Sequence, residues 1–255
     1  MFNGFDLTPV QKIGHIWLKR DDLFEVYGVN GGKARACFAY TRNSAVGLLT
    51  AAARQSPQSV IVAAIADGMG LPCRIHTVSG AITEELNRAR QLSAELIFHR
   101  PGYGSVIARR AFDEAASTGW TLVPFGMECS EAVLLAAHQA ANIPSAAQRL
   151  VVPVGSGMTL AGILRALRQK GRQLPVIGIV VGADPTRRLD KWGPRGWRAM
   201  VELHWSRWPY KRPANDVQLG QVALDPIYEA KCAPYLADED CLWIVGHRRS
   251  SSWRG

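Results

Sequence analysis

At 255 residues, with 47% hydrophobic and 20% charged content, the chain can bury one large core or two modest ones, which excludes a disordered polypeptide. Its net charge of +9 favours anionic partners, phosphates or nucleic acid alike, without choosing between them. Five scattered cysteines (Cys37, Cys73, Cys129, Cys232, Cys241), no basic leader and no window of roughly 18 apolar residues argue against a zinc site, a disulfide framework and a membrane span, so a cytoplasmic, metal-free protein is expected.

Short apolar runs alternate with helical patterns along the chain. The spacing predicts a strand over 15–18, a helix over 33–45, a strand over 46–50, a helix over 58–67 and a strand over 73–78. A helix over 81–92, a strand over 95–99, a helix over 106–116 and a strand over 120–124 follow. Then come a helix over 130–141, a strand over 150–154, a helix over 160–170 and a strand over 176–181. Strands alternating with helices of about ten residues predict βαβ units, hence an α/β fold with parallel-rich sheets flanked by helices.

Two places in this pattern suggest chemistry. Lys33 follows Gly31-Gly32 at the start of a predicted helix, where the glycines allow a sharp turn and the helix N-terminus favours a neutral amine able to form a Schiff base. Alone, the segment reads as a solvated helix start. Farther on, the apolar run 150–154 empties into Gly155-Ser156-Gly157-Met158-Thr159, where backbone N–H groups and two hydroxyls would cradle a phosphate. A Walker A loop is excluded because no lysine precedes Thr159. A dinucleotide fingerprint is weak, since Leu160 stands at the third glycine position, although Asp184 is a tolerable ribose ligand. A reactive lysine and a phosphate cradle are together what pyridoxal 5'-phosphate requires.

From Thr186 the composition changes. Residues 187–212 hold eight basic residues (Arg187, Arg188, Lys191, Arg195, Arg198, Arg207, Lys211, Arg212) against two acidic ones (Asp190, Glu202), together with Trp192, Trp197, Trp205 and Trp208, a net +6 of the chain's +9. Interleaved tryptophan and arginine suit single-stranded nucleic acid. They equally suit an amphipathic connector whose tryptophans pack on the core while the arginines stay wet.

Five stretches in chain order resemble the 1-aminocyclopropane-1-carboxylate deaminase and D-cysteine desulfhydrase family of tryptophan-synthase-β-like (fold type II) enzymes. They are Trp17-Leu18-Lys19-Arg20-Asp21-Asp22-Leu23, Gly31-Gly32-Lys33-Ala34-Arg35, Gln55-Ser56-Pro57-Gln58, the loop Gly155 to Thr159, and Asp225-Pro226-Ile227-Tyr228-Glu229-Ala230-Lys231. The resemblance implies a two-domain fold, with a small domain at 40–125 and a large cofactor domain from 1–39 and 126–255. It implies pyridoxal 5'-phosphate on Lys33 as the internal aldimine, with Gly155, Ser156, Gly157, Met158 and Thr159 on its phosphate and Glu229 beside its pyridine nitrogen. Lys33, Ser56 and Tyr228 would be catalytic, and Ser56, Gln58 and Tyr228 would meet the substrate. Read without it, Ser56 is a helix N-cap, Tyr228 a core aromatic and Glu229 a surface charge.

The chain departs from the family pattern in three places. Gly32 replaces an asparagine, Pro57 replaces the asparagine that bonds the cofactor's ring oxygen, and Cys241 to Arg249 replaces a late strand ending in paired glycines. Of that last segment, His247, Arg248 or Arg249 near the site would meet an anionic substrate group; read otherwise, they are a solvated tail. The expectation is an enzyme that captures a small amino-acid-type substrate and cleaves a bond at Cα by deamination, elimination or decarboxylation, as a homodimer. One alternative acts on an amino-acid-modified nucleic acid, as bacteriophage thymine modification does; another is a non-catalytic, basic nucleic-acid-binding protein on a degenerate fold.

Overall fold

The computed structural model describes residues 6–102 and 104–246. In chain order the strands used below are β1 (Val10–Ile13), β2 (Ile16–Arg20), β3 (Leu48–Ala51), β4 (Cys73–Val78), β5 (Glu95–His99), β6 (Thr121–Val123), β7 (Arg149–Val154), β8 (Val176–Val180), β9 (Val201–Trp205) and β10 (Asp240–Ile244). The helices are α1 (Gly32–Thr41), α2 (Gln58–Gly68), α3 (Glu84–Gln91), α4 (Gly104–Thr118), α5 (Ser130–Gln139), α6 (Met158–Gln169) and α7 (Thr186–Trp192).

The chain divides into two compact units. The first gathers Met1–Phe24, Asn30–Gly32 and Ser130–Gly255, and the second Glu25–Val29 and Lys33–Cys129. In the first, six strands lie in the order β1-β2-β10-β7-β8-β9, parallel except for the β1/β2 hairpin. β10 and β8 are buried along their whole lengths, as a parallel sheet covered on both faces requires. α5 and α6 pack together, and Gly162 permits it: a Cβ there would lie 2.7 Å from that of Ala136.

In the second unit, four parallel strands take the order β5-β4-β3-β6. Leu49 and Ala51 of β3 meet Ile107 and Ala111 of α4 in a small core. α2 is almost wholly buried, consistent with an apolar composition that shows no polar stripe. The predicted helix over 81–92 starts later, at Glu84, because the hydroxyl of Thr83 caps the helix by accepting the N–H of Leu86.

Candidate active site

The phosphate-type loop is formed where β7 ends. Gly157 takes φ +89° at the cap of α6, a conformation a side chain would strain, and its missing Cβ would lie 3.0 Å from that of Pro185. Gly155 is constrained otherwise: a Cβ there would come to 3.2 Å from Cε1 of Tyr228. Two glycines thus let the backbone turn and let an aromatic wall approach it. The twelve-residue α6 begins at Met158, so its first N–H groups lack intrahelical acceptors and carry the positive end of the helix dipole. Ser156 and Thr159 are only partly buried, which leaves their hydroxyls able to add donors.

Tyr228 stands against this loop at Gly155, and Glu229 follows it in the chain. The Asp225 carboxylate accepts the N–H groups of Ile227 and Tyr228 at 2.7 and 2.9 Å, fixing the turn that presents them. Tyr228 is buried, and its hydroxyl is paired with that of Tyr210 at 3.2 Å, with the rings edge-on at 6.2 Å. Tyr210 was not found from sequence: it belongs to no recognised motif and lies within the Trp- and Arg-rich stretch.

Glu229 is fully buried, which excludes a surface charge. Its Oε1 accepts the N–H groups of Val245 at 2.6 Å and Gly246 at 3.3 Å, whereas its Oε2, equally buried, has no hydrogen-bond partner among the described residues. Burial first, and the neighbouring Asp225 charge second, push its pKa up to about 8 despite the opposing backbone N–H groups. A buried carboxyl with one orphaned oxygen is chemically complete only when a proton-bearing or cationic group arrives, and a pyridinium N–H is such a group. The turn carrying Glu229 packs on β7, the strand that feeds the phosphate-type loop. The residues of this unit therefore fit pyridoxal phosphate.

The two glycines before Lys33 answer to the same segment as Glu229. Gly31 takes φ +90°, and any Cβ on it would strike the carbonyl of Val245. Gly32 donates its N–H to that carbonyl at 3.3 Å, and a side chain in place of its hydrogen would run into the Asp21 carboxylate. A side chain at Gly32 would therefore require the Asp21 carboxylate to move. Lys33 follows as the second residue of α1 and is partly buried. Its charge draws the Cys37 thiol down slightly, against a much stronger upward push from burial, so Cys37 is not a nucleophile.

In the second unit the loop before α2 is held by Gln58. Its amide nitrogen donates to the Thr50 hydroxyl and to the Pro124 carbonyl, each at 2.8 Å, so both of its N–H bonds serve the ends of β3 and β6. Ser56 Oγ accepts the N–H of Gln58 at 3.3 Å in the turn before α2, whose cap position is Pro57, and Ser56 is only partly buried. Pro57 between them is buried and brings no side-chain donor.

The basic stretch 187–212 becomes α7, a short turn, β9 and a loop. Trp197 is buried, its indole donates to Asp190 at 3.0 Å, and Arg198 pairs with the same carboxylate at 2.6 Å; these three form a structural knot. Trp205 behaves differently, with 57% of its surface exposed. The Asp184 carboxylate accepts the N–H of Thr186 at 2.9 Å, which is the turn into α7. His247, Arg248 and Arg249 lie outside the described residues. Among the described residues no helix is long and apolar enough to cross a membrane, and no cluster of three metal-ligating side chains occurs.

A family profile described as pyridoxal-phosphate dependent enzyme matches residues 5–198. No functionally curated protein matches the sequence significantly. Among solved structures, the chain is similar to an ACC deaminase homologue, at 19% identity and TM-score 0.78, over 94% of this chain and 89% of the other. It is also similar to O-ureido-L-serine synthase (14% identity, TM-score 0.68, 99% and 95% covered) and to the processed form of threonine deaminase isoform 2 from Solanum lycopersicum (13% identity, TM-score 0.63, 96% and 85% covered). At such identities the likeness speaks for the fold, that of fold type II enzymes.

Proposed function

The chain belongs to the family of pyridoxal-phosphate dependent enzymes, and from that premise we propose that it captures the amine of an amino-acid-type substrate and cleaves a bond at Cα, by deamination, elimination or decarboxylation. The observation that carries this reading is the buried Glu229 with its partnerless Oε2, next in the chain to Tyr228, which packs on the glycine-rich loop before α6. A degenerate, purely binding fold would have no reason to keep a carboxyl in that state, since an orphaned buried oxygen destabilises by roughly 1–3 kcal/mol.

Bound here, the cofactor would supply an aldehyde for an amine and an electron-withdrawing ring for the charge left at Cα. The residues divide the remaining work. Lys33 would hold the cofactor's aldehyde and would take or return a proton at the substrate Cα. Gly155, Ser156, Gly157, Met158 and Thr159 would hold the phosphate through backbone N–H groups and two hydroxyls. Glu229 would keep a proton at the ring nitrogen, and the ion pair so formed would restore its carboxylate character. The Tyr228 hydroxyl, poised by Tyr210, would face the substrate. Ser56 would offer its hydroxyl to the substrate carboxylate, while Gln58, both of whose donors are engaged, holds the loop in place.

The test begins with loading. Purified protein given pyridoxal 5'-phosphate should show a visible absorption band, and borohydride reduction should fix one cofactor mass on Lys33. A mass on another lysine, or no band, would overturn the assignment. A panel including D-cysteine, D- and L-serine and 1-aminocyclopropane-1-carboxylate, followed for ammonia, α-keto acid and carbon dioxide, then separates the three outcomes at Cα.

A further inference from the structure

We propose that a basic rim of the first unit, built by Arg187, Trp205, Arg207, Lys211 and Arg212, binds single-stranded nucleic acid, and that the amine taken by the site is carried on such a strand. The second half of this statement rests on the function proposed above; the first does not.

The placement follows from strand register. Val180 of β8 is level with Val154 of β7 on one side and with Trp205 of β9 on the other. All three strands are parallel, so Trp205 stands two strand spacings, roughly 10 Å, from the residue that opens the phosphate-type loop, and on the same edge of the sheet. The exposed Arg187 lies at that edge too, because Pro185, two residues before it, packs against Gly157. After Trp205 the chain turns back toward the site. Ser206 is tied to Val180 at 2.9 Å, and Tyr210 reaches the hydroxyl of Tyr228.

This loop is anchored, which a solvated run of charge does not need. The fully buried Lys231 donates to the carbonyl of Pro209 at 3.0 Å and to that of Tyr210 at 3.4 Å. The middle of the loop is thereby fixed from inside while Arg207, Lys211 and Arg212 on either side of it remain exposed. An exposed indole in a segment with an anchored backbone and exposed cations matches the chemistry of a strand whose bases are unstacked, with charges for the phosphates and a ring face for a base. A base inside a duplex presents no such face, and an amine attached to it could not enter a site.

The experiment uses fluorescein-labelled oligo(dT) of twenty nucleotides and the cofactor-loaded protein, read by anisotropy across a salt series. Binding is expected, with the logarithm of affinity falling linearly against the logarithm of salt concentration. The combined Arg207→Gln, Lys211→Gln, Arg212→Gln variant should bind at least tenfold more weakly with a slope shallower by about 2. A control carrying Arg42→Gln, Arg165→Gln and Lys170→Gln should bind as the parent does. Trp205→Ala should weaken the single strand more than the matching duplex. No binding, equal weakening by the control, or retention on phosphatidylserine vesicles in place of DNA would overturn the rim. The same strand with one aminoalkyl thymine should shift the cofactor's visible band where the unmodified strand does not. Binding without that shift would overturn the substrate class alone. A protein lacking the band but retaining salt-dependent, rim-dependent binding would refute the proposed function and leave the rim standing.

Discussion

Val245 donates its amide hydrogen to Glu229 Oε1 at 2.6 Å while its own carbonyl accepts the N–H of Gly32 at 3.3 Å, so one residue just beyond β10 holds both the buried Glu229 carboxyl and the turn that precedes Lys33. Through it, the acid of one motif and the glycines of another are held in register by the backbone. The consequences can be measured at each end.

At the acid end, Glu229→Gln keeps the shape of the side chain and removes the charge. A neutral amide cannot hold a proton on the ring nitrogen, so turnover should fall by about 100-fold or more while the cofactor remains on Lys33. A variant with undiminished turnover would show that ring protonation is not needed for this reaction.

The same residue makes a pH prediction for the protein without cofactor. The carboxyl sits at about 8 in the folded state and near 4.5 when unfolded, so between those values the unfolded chain loses a proton that the folded chain keeps. Its contribution to stability is therefore complete below about pH 4.5 and is lost as pH rises toward 8, on the order of a few kcal/mol. Thermal unfolding of the apoprotein between pH 5 and 8.5 should show that decline, and Glu229→Gln should flatten it. Addition of cofactor should flatten it as well, by supplying the cation that the carboxylate needs.

At the glycine end, Gly31→Ala combines a left-handed backbone with a collision against the Val245 carbonyl. It should destabilise the first unit by about 2–4 kcal/mol in denaturant titration and weaken cofactor binding as the turn shifts. Gly14→Ala, at φ +58° but with open space around it, isolates the strain alone and should cost about 1–2 kcal/mol.

What could be read in advance follows physical lines. Parallel strands buried on both faces appear as apolar runs, so β3 to β8 and the helices between them were legible from periodicity. β9 was not, because Val201-Glu202-Leu203-His204-Trp205 is a half-exposed edge strand set among arginines, and its alternation was masked by composition. The residues of the expected site carried motifs; their supports did not. Tyr210 and the N–H groups of Val245 and Gly246 act through tertiary contacts that no spacing announces. Gln58 was legible as a member of a loop, whereas the direction of its amide, toward Thr50 and Pro124, depends on where β3 and β6 end. The tryptophans of the basic stretch divided by burial: Trp197 went inside to Asp190 and Trp205 stayed out, a distinction set by their positions relative to the sheet edge.

In the second unit the Arg110 guanidinium lies 2.9 Å from His99 Nδ1, His99 Nε2 lies 2.9 Å from His76 Nδ1, and His76 Nε2 lies 3.0 Å from Glu114. A guanidinium can only donate, so with both imidazoles neutral the chain has one direction, from Arg110 through His99 to His76, whose Nε2–H faces the Glu114 carboxylate without meeting hydrogen-bond geometry. It pins α4 to β4 and β5, with Arg74 holding Glu114 and Glu95 from the sheet. A proton added to either ring would set two donors against each other, and burial, reinforced by Arg110 at His99, lowers both histidine pKa values. For a base whose folded pKa is depressed, stability is present above the unfolded value, near 6.5, and is lost as pH falls through the folded one. Hydrogen-exchange protection in α4, referred to the intrinsic rate at each pH, should therefore fall between pH 7 and 5. His99→Gln can accept from Arg110 with its oxygen and donate to His76 with its nitrogen, so it should keep α4 protected at pH 7 and remove part of the loss in acid. If the variant loses protection equally at both pH values, the imidazoles are packing groups and the directed chain of hydrogen bonds is not what holds the helix.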